Sequence, residues 1–185
     1  MKLIIGITGA SGGVYAVSLL RELLKREIEL HAVISPAGRD VMRLECETSP
    51  EEFTNINWHE PDNMLSSLAS GSSHFDAMVV VPCSMNTLGR IAQGISGNLL
   101  HRAAAVMLKE KRRLIVVPRE TPLNAIHLEN MLRLDRAGAC VLPAAPGFYH
   151  KPKTVDDLVN HVTGKILDML DISHELFTPW GEDSF

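Results

Sequence analysis

Five short apolar runs punctuate the chain: Leu3–Ile7, Leu30–Ile34, Ala77–Val81, Leu114–Val117 and Ala139–Leu142. Each is continuous rather than alternating, the pattern of a strand covered on both faces. Between them lie stretches of helical periodicity near 13–26, 37–46, 86–93, 98–110, 122–137 and 154–170. The first carries an apolar stripe of Val14, Val17, Leu20 and Leu24; the fourth carries Leu99, Ala103, Val106 and Met107. On the last, Leu158, Val162, Ile166 and Met169 face inward, and Thr154 with Asp157 forms a capping-box start. Regular alternation of strand and helix predicts an α/β fold, a Rossmann-like, three-layer, doubly wound and mostly parallel sheet in one domain over 1–185. The stretch 47–75, with its Ser, Asn, Pro and Gly, reads as a loop carrying one short helix.

In a doubly wound sheet, ligands sit outside the carboxyl ends of the strands, near the point where strand order reverses. The segments leaving the five runs are therefore where chemistry is sought. They are Thr8-Gly9-Ala10-Ser11-Gly12-Gly13, then Ser35-Pro36, Pro82-Cys83-Ser84-Met85-Asn86-Thr87, Pro118-Arg119-Glu120 and Pro143 through His150. One edge of the sheet is polar.

The glycine loop joins a strand to a helix, so it serves either an anion cradled by backbone N–H groups or a tight turn with close packing. A dinucleotide site wants an acid after the second strand, but Ser35 stands there and the next acid is Asp40. That disfavours NAD and suits a mononucleotide phosphate or a flavin. Ser84, Asn86 and Thr87 are either a helix cap or a second phosphate contact. Cys83 reads as a small buried thiol at a strand end rather than a nucleophile, since no histidine is near it in sequence. Arg102 and Lys109, seven residues apart, share one helix flank about 10 Å apart along the axis. Lys165 falls at the edge of the last helix's stripe, either snorkelling to water or facing an anion.

Composition removes several classes. The net charge is -4, with 18 Lys and Arg against 22 Asp and Glu, which argues against a nucleic-acid surface. The three cysteines form no CxxC, and the eight histidines form no HxH or HExxH pair, so neither a disulfide framework nor a protein-built metal site is expected. No run approaches a membrane span, the start is no signal peptide, and free thiols fit a reducing compartment. A cytoplasmic protein is expected.

Four blocks carry a resemblance: GITGASG at 6–12, PCSMNTL at 82–88, LKEKRRLIVVPRETPLNAIHLENML at 108–132 and LPAAPGFYHKP at 142–152. Together they resemble the flavin prenyltransferase family, the UbiX-type enzymes formerly labelled aromatic acid decarboxylases. The similarity runs from residue 1 to about Trp180. It implies an FMN-binding domain in a dodecamer, with active sites at subunit junctions, no metal, and a C-terminal tail, 171–185, docking on a neighbouring subunit. The implied reaction joins a dimethylallyl group from dimethylallyl monophosphate to N5 and C6 of reduced FMN. The product, prenylated FMN, would serve a UbiD-type decarboxylase.

Carried over by motif, Gly9, Ala10, Ser11, Ser35, Ser84, Met85, Asn86, Thr87 and Arg119 would contact FMN. Tyr149 and Lys165 would bind the prenyl phosphate, Arg102, Lys109 and Arg119 would add positive charge, and Trp180 would wall the prenyl pocket. Glu120 would exchange a proton with the leaving phosphate. Ser11 and Glu45 would assist proton removal from C6, with Glu47 the neighbouring choice. Lys165 stands where some relatives have arginine, which keeps the charge and loses the bidentate fork. Two other readings stay open: an FMN-dependent cysteine decarboxylase of the same fold, and a flavin carrier without catalysis.

Overall fold

A computed structural model describes residues 1–181. Six parallel strands form one sheet: β1 (Lys2–Ile7), β2 (Glu29–Ile34), β3 (Asn57–His59), β4 (Ala77–Cys83), β5 (Arg113–Pro118) and β6 (Cys140–Val141). Their order is β3-β2-β1-β4-β5-β6, so the direction of winding reverses between β1 and β4. Six helices cover the sheet: α1 (Gly13–Leu24), α2 (Pro36–Cys46), α3 (Met85–Ala92), α4 (Leu99–Lys109), α5 (Ala125–Arg136) and α6 (Val155–Met169). The doubly wound α/β architecture read from the apolar runs is the one found.

Alternate strand residues go to opposite layers, as the pleat requires. Leu3, Ile5 and Ile7 of β1, with Val79 and Val81 of β4, pack under α1 and α6 with Leu19, Leu20, Val162 and Ile166. Ile4, Met78, Val80, Leu114 and Val116 meet Leu88, Leu100, Ala103 and Met107 of α3 and α4 on the other side. Both faces of the central strands are thus buried, which explains their unbroken apolar runs.

Three expectations shift. The stretch 47–75 contains strand β3 and two short 3-10 turns, Pro50–Glu52 and Ser67–Ala69, instead of one short helix in a loop. β3 is a three-residue edge strand of mixed polarity, and side chains help pin it: Asn57 Nδ2 donates to Leu30 O (3.2 Å), and His59 Nε2 lies 2.8 Å from His31 Nδ1. On α1 the buried set is Ala16, Val17, Leu19, Leu20 and Leu23, while Val14 and Leu24 are half-buried. On α6, burial extends over His161, Thr163 and Gly164, and Met169 is exposed. The cause is double coverage of α6. Thr163 donates to Ser18 of α1 (3.0 Å), and the segment after α6 folds back over Gly164. That returning segment is described to Gly181; residues 182–185 of the expected docking tail lie outside the described residues.

Candidate active site

The exits of β1, β2 and β4 stand side by side at the carboxyl edge of the sheet. Each of the β2 and β4 exits starts a helix with a serine cap. Ser35 Oγ accepts from Gly38 N (3.0 Å) at the start of α2, and Ser84 Oγ accepts from Thr87 N (3.3 Å) at the start of α3. Ser84 Oγ also donates to Thr87 Oγ1 (3.2 Å). Two helix N-termini therefore flank β1 and add positive potential there. Thr8, the first residue of the β1 exit and given no role by the sequence motifs, ties the exits together. Its buried hydroxyl donates to Pro82 O (2.7 Å) and accepts from Ser84 N (2.8 Å). A Thr directly after a buried strand was the available signal.

Gly9 lies so close to α2 that a Cβ would meet Ala37 Cβ at 2.5 Å, and Gly12 adopts φ +108°, where side chains are strained. The loop N–H groups at the start of α1 do hold an anion, but it is the chain's own. Glu45 Oε2 accepts from Gly12 N (2.8 Å) and Gly13 N (3.0 Å). Burial pushes the Glu45 carboxyl up, yet the Ser11 hydroxyl, the two loop N–H groups and the Arg119 charge outweigh it and hold the carboxyl below its ordinary range. Glu47 is instead the residue that ends α2, at φ 48°. Arg119 Nε donates to Ser11 O (2.8 Å) and closes the same cluster, next to Tyr15, whose phenol burial raises.

Elsewhere on this edge, Met85, the first residue of α3, is half-buried against the core, and Asn86 Oδ1 accepts from Arg90 Nε (2.8 Å). Glu120 is exposed and accepts from Thr121 N (3.0 Å). Cys83 is fully buried, and burial pushes its thiol up to about 12, so it is no thiolate nucleophile. The surfaces present are those a flavin mononucleotide requires: glycine positions of close approach, serine-capped helix starts and an arginine at one edge.

A second cluster lies along α6. Tyr149, Lys165 and Trp180 line one cleft of about 820 Å³ with Asp168, His174 and Phe177. Tyr149 stands edge-on to Trp180, ring centroids 5.5 Å apart, and edge-on to His161 at 5.6 Å. Lys165 lines this cleft, and its ammonium pairs with Asp168 Oδ2 (2.8 Å).

The two clusters do not merge within one protomer. Arg113, the first residue of β5, donates to Met169 O and to Asp171 (2.7 Å each), which places the end of α6 at the amino edge of the sheet. Lys165 is one turn from that end, whereas Arg119 follows the last residue of β5. Arg102 and Lys109 form a third group on the opposite layer. Arg102 Nε donates to Ala69 O (3.0 Å), and Lys109 pairs with Glu110 beside Gly71. The single convergence expected at the strand exits thus gathers only the Gly9–Ser11, Ser35, Glu45, Ser84–Thr87 and Arg119 set. Among the described residues no three His, Cys, Asp or Glu side chains converge as metal ligands. No helix of the described residues is long and apolar enough to cross a membrane.

Comparison with known proteins agrees with this fold. The Flavoprotein family model matches residues 1–176. The flavin prenyltransferase UbiX of Halalkalibacterium halodurans is 51% identical, over 97% of this chain and 93% of its own. A dodecameric FMN-dependent UbiX-like decarboxylase from Escherichia coli O157:H7 superposes with a TM-score of 0.94 at 42% identity, covering 97% of this chain and 99% of that one. AnUbiX (PadA1), solved in complex with FMN and dimethylallyl pyrophosphate, gives 0.95 at 37% identity, covering 99% and 98%. Sequence blocks, strand order and full-length similarity lead to one assignment: the chain belongs to the flavin prenyltransferase (UbiX) family of flavoproteins.

Proposed function

We propose that this enzyme transfers a dimethylallyl group from dimethylallyl monophosphate to reduced FMN, at N5 and C6, and releases inorganic phosphate. The carrying observation is the α6 cleft, where a lysine ammonium and two edge-packed aromatic rings share one space. Departure of an allylic phosphate develops negative charge on oxygen and positive charge on carbon. Lys165 and the Tyr149 hydroxyl suit the first. The indole face of Trp180 suits the second without attacking it.

Reduced FMN, when bound, would supply the nucleophilic ring. Ser35 and the Ser84–Thr87 turn hold its phosphate, the Gly9–Ser11 backbone lies against it, and Arg119 steadies its edge. Ser11 and Glu45, already hydrogen-bonded to each other, take the proton lost at C6. Glu120 gives a proton to the departing phosphate. Arg102 and Lys109 serve the site of a neighbouring protomer in a cytoplasmic homododecamer. Supporting that assembly, α5 buries only Leu134 and leaves Ile126, Leu128 and Leu132 exposed, an apolar face suited to another subunit. The product passes to a UbiD-type decarboxylase.

The test is anaerobic incubation with reduced FMN and dimethylallyl monophosphate, with the diphosphate in parallel. A flavin heavier by one C5H8 unit, formed faster from the monophosphate, is expected. Unchanged FMN with CO2 released from a cysteine peptide would instead mark a cysteine decarboxylase, and FMN bound without turnover a carrier. Glu120→Gln and Lys165→Ala are expected to keep FMN and lose product.

A further inference from the structure

Lys165 is half-buried on α6, and a lysine has no rigid fork of its own. Its four-carbon stem loses rotamer freedom whenever the ammonium is held at one point. Here a carboxylate partner restricts that freedom. Asp168, three residues on, accepts from Lys165 Nζ at 2.8 Å through Oδ2, and its other oxygen, Oδ1, lies 3.1 Å from His174 Nε2. The His174 ring is buried, with 7% of its side chain exposed, and its second nitrogen accepts from Leu176 N at 3.2 Å. With Nδ1 an acceptor, Nε2 carries the proton in the neutral ring and donates to Asp168. The line from tail to ammonium is complete: Leu176 N–H, His174, Asp168, Lys165.

The surface of α6 is shaped for this line. Gly164 has no side chain where the tail lies down; a Cβ there would come within 2.7 Å of His174 Cε1 and 2.5 Å of Phe177 Cε1. The Phe177 ring lies 4.9 Å from that of His161 and 5.1 Å from that of His174. Three residues beyond Phe177 stands Trp180, against Tyr149. The same short segment therefore supplies both the aromatic wall of the cleft and the group that orients its cation.

We propose that Asp168 and His174 are positioning residues for the donor phosphate: they fix the Lys165 ammonium and couple it to the docked tail that carries Phe177 and Trp180. The inference rests on the reading of Lys165 as the phosphate-binding cation. Its energetic role is to settle the orientation of the ammonium before the donor arrives, so it acts on donor affinity rather than on chemistry.

The experiment uses full-length, FMN-loaded protein and dimethylallyl monophosphate, with donor binding measured by calorimetry beside steady-state kinetics. Asp168→Asn is expected to raise KM about five- to tenfold with kcat within about threefold and FMN affinity unchanged. His174→Gln, whose amide can still donate to Asp168, stays near wild type, and His174→Phe, of similar size without a donor, behaves like Asp168→Asn. In a Lys165→Arg background, where the planar guanidinium is already pre-organised, Asp168→Asn raises KM less than about twofold. A KM for Asp168→Asn that is unchanged or lower overturns the positioning role, the lower value marking Asp168 as a competitor of the phosphate. An equal penalty in the Lys165→Arg background overturns it too, by showing a general structural effect. Wild-type protein that binds no dimethylallyl monophosphate refutes the assignment of Lys165 itself, a separate outcome.

Discussion

Replacing Gly164 by alanine should move two stabilities in opposite directions. The site is in the interior of α6, where Gly→Ala favours the helix by about 1 kcal/mol. The new methyl, however, would lie 2.5 Å and 2.9 Å from two carbons of the Phe177 ring and 2.7 Å from His174. Carbon atoms pack at about 3.5–4.0 Å, so the overlap is on the order of 1 Å. Neither ring can retreat freely, because His174 is held by Asp168 and Leu176 and Phe177 rests on His161. The tail must lift. It then loses its ring contacts, worth about 0.5–1.5 kcal/mol each, while the sheet and its helices keep theirs. The expected result is a main unfolding transition unchanged or slightly higher by calorimetry. Proteolytic cleavage between residues 171 and 181 should be about tenfold faster, the ratio that about 1.4 kcal/mol of lost docking gives. Donor KM should rise with it. A tail that stays protected in Gly164→Ala would refute the account of how it docks.

Other outcomes follow from the strand exits. Glu45→Gln removes the charge that caps α1, and for so exposed a group about 0.5 kcal/mol is expected at neutral pH, or a melting temperature lower by about 1–2 °C. Because the folded carboxyl sits below its ordinary value, that difference is full above the unfolded value of about 4.3 and disappears as pH falls through the folded one. Thermal melts of both proteins across pH would check it, a difference that grows in acid being the contrary result. Thr8→Val leaves Ser84 N without its acceptor and should cost about 1–2 kcal/mol by urea unfolding, with weaker FMN binding as the α3 start loosens. In the native protein, mass spectrometry after iodoacetamide treatment at mild alkaline pH should find Cys83 unmodified while half-buried Cys46 and Cys140 react slowly.

The sheet was legible because parallel strands covered on both faces leave unbroken apolar runs, as in the stretches within β1, β2, β4 and β5. β3 left no such run: only one of its neighbours is a strand, and Asn57 and His59 are held by side-chain hydrogen bonds that no apolar pattern encodes. The flavin-side residues were legible for a topological reason, since they directly follow strands whose order could be guessed. Glu45 was reached only through the family resemblance, because its bond to Gly12 spans 33 residues and depends on how α2 leans on α1. Lys165 stayed ambiguous for a related reason. Helical angle says which side of α6 it occupies, and only the returning tail says what that side faces.

The separation of Lys165 from the strand exits has a consequence that one assay can read. β5 runs about 17–20 Å from Arg113 at the amino edge to Pro118, and Glu120 lies past its far end. Lys165 is only about 6 Å along α6 from Met169, whose carbonyl Arg113 holds. We predict that a donor touching both Glu120 and Lys165 draws them from different protomers. Two variants, each inactive alone through Glu120→Gln or Lys165→Ala, should complement when unfolded together at equal amounts, refolded and reassembled. With random mixing about a quarter of the sites receive both intact side chains, so prenylated FMN should form at about a quarter of the wild-type rate. If both groups came from one chain, no mixed assembly would contain a complete site, and the activity would stay at the level of the separate variants.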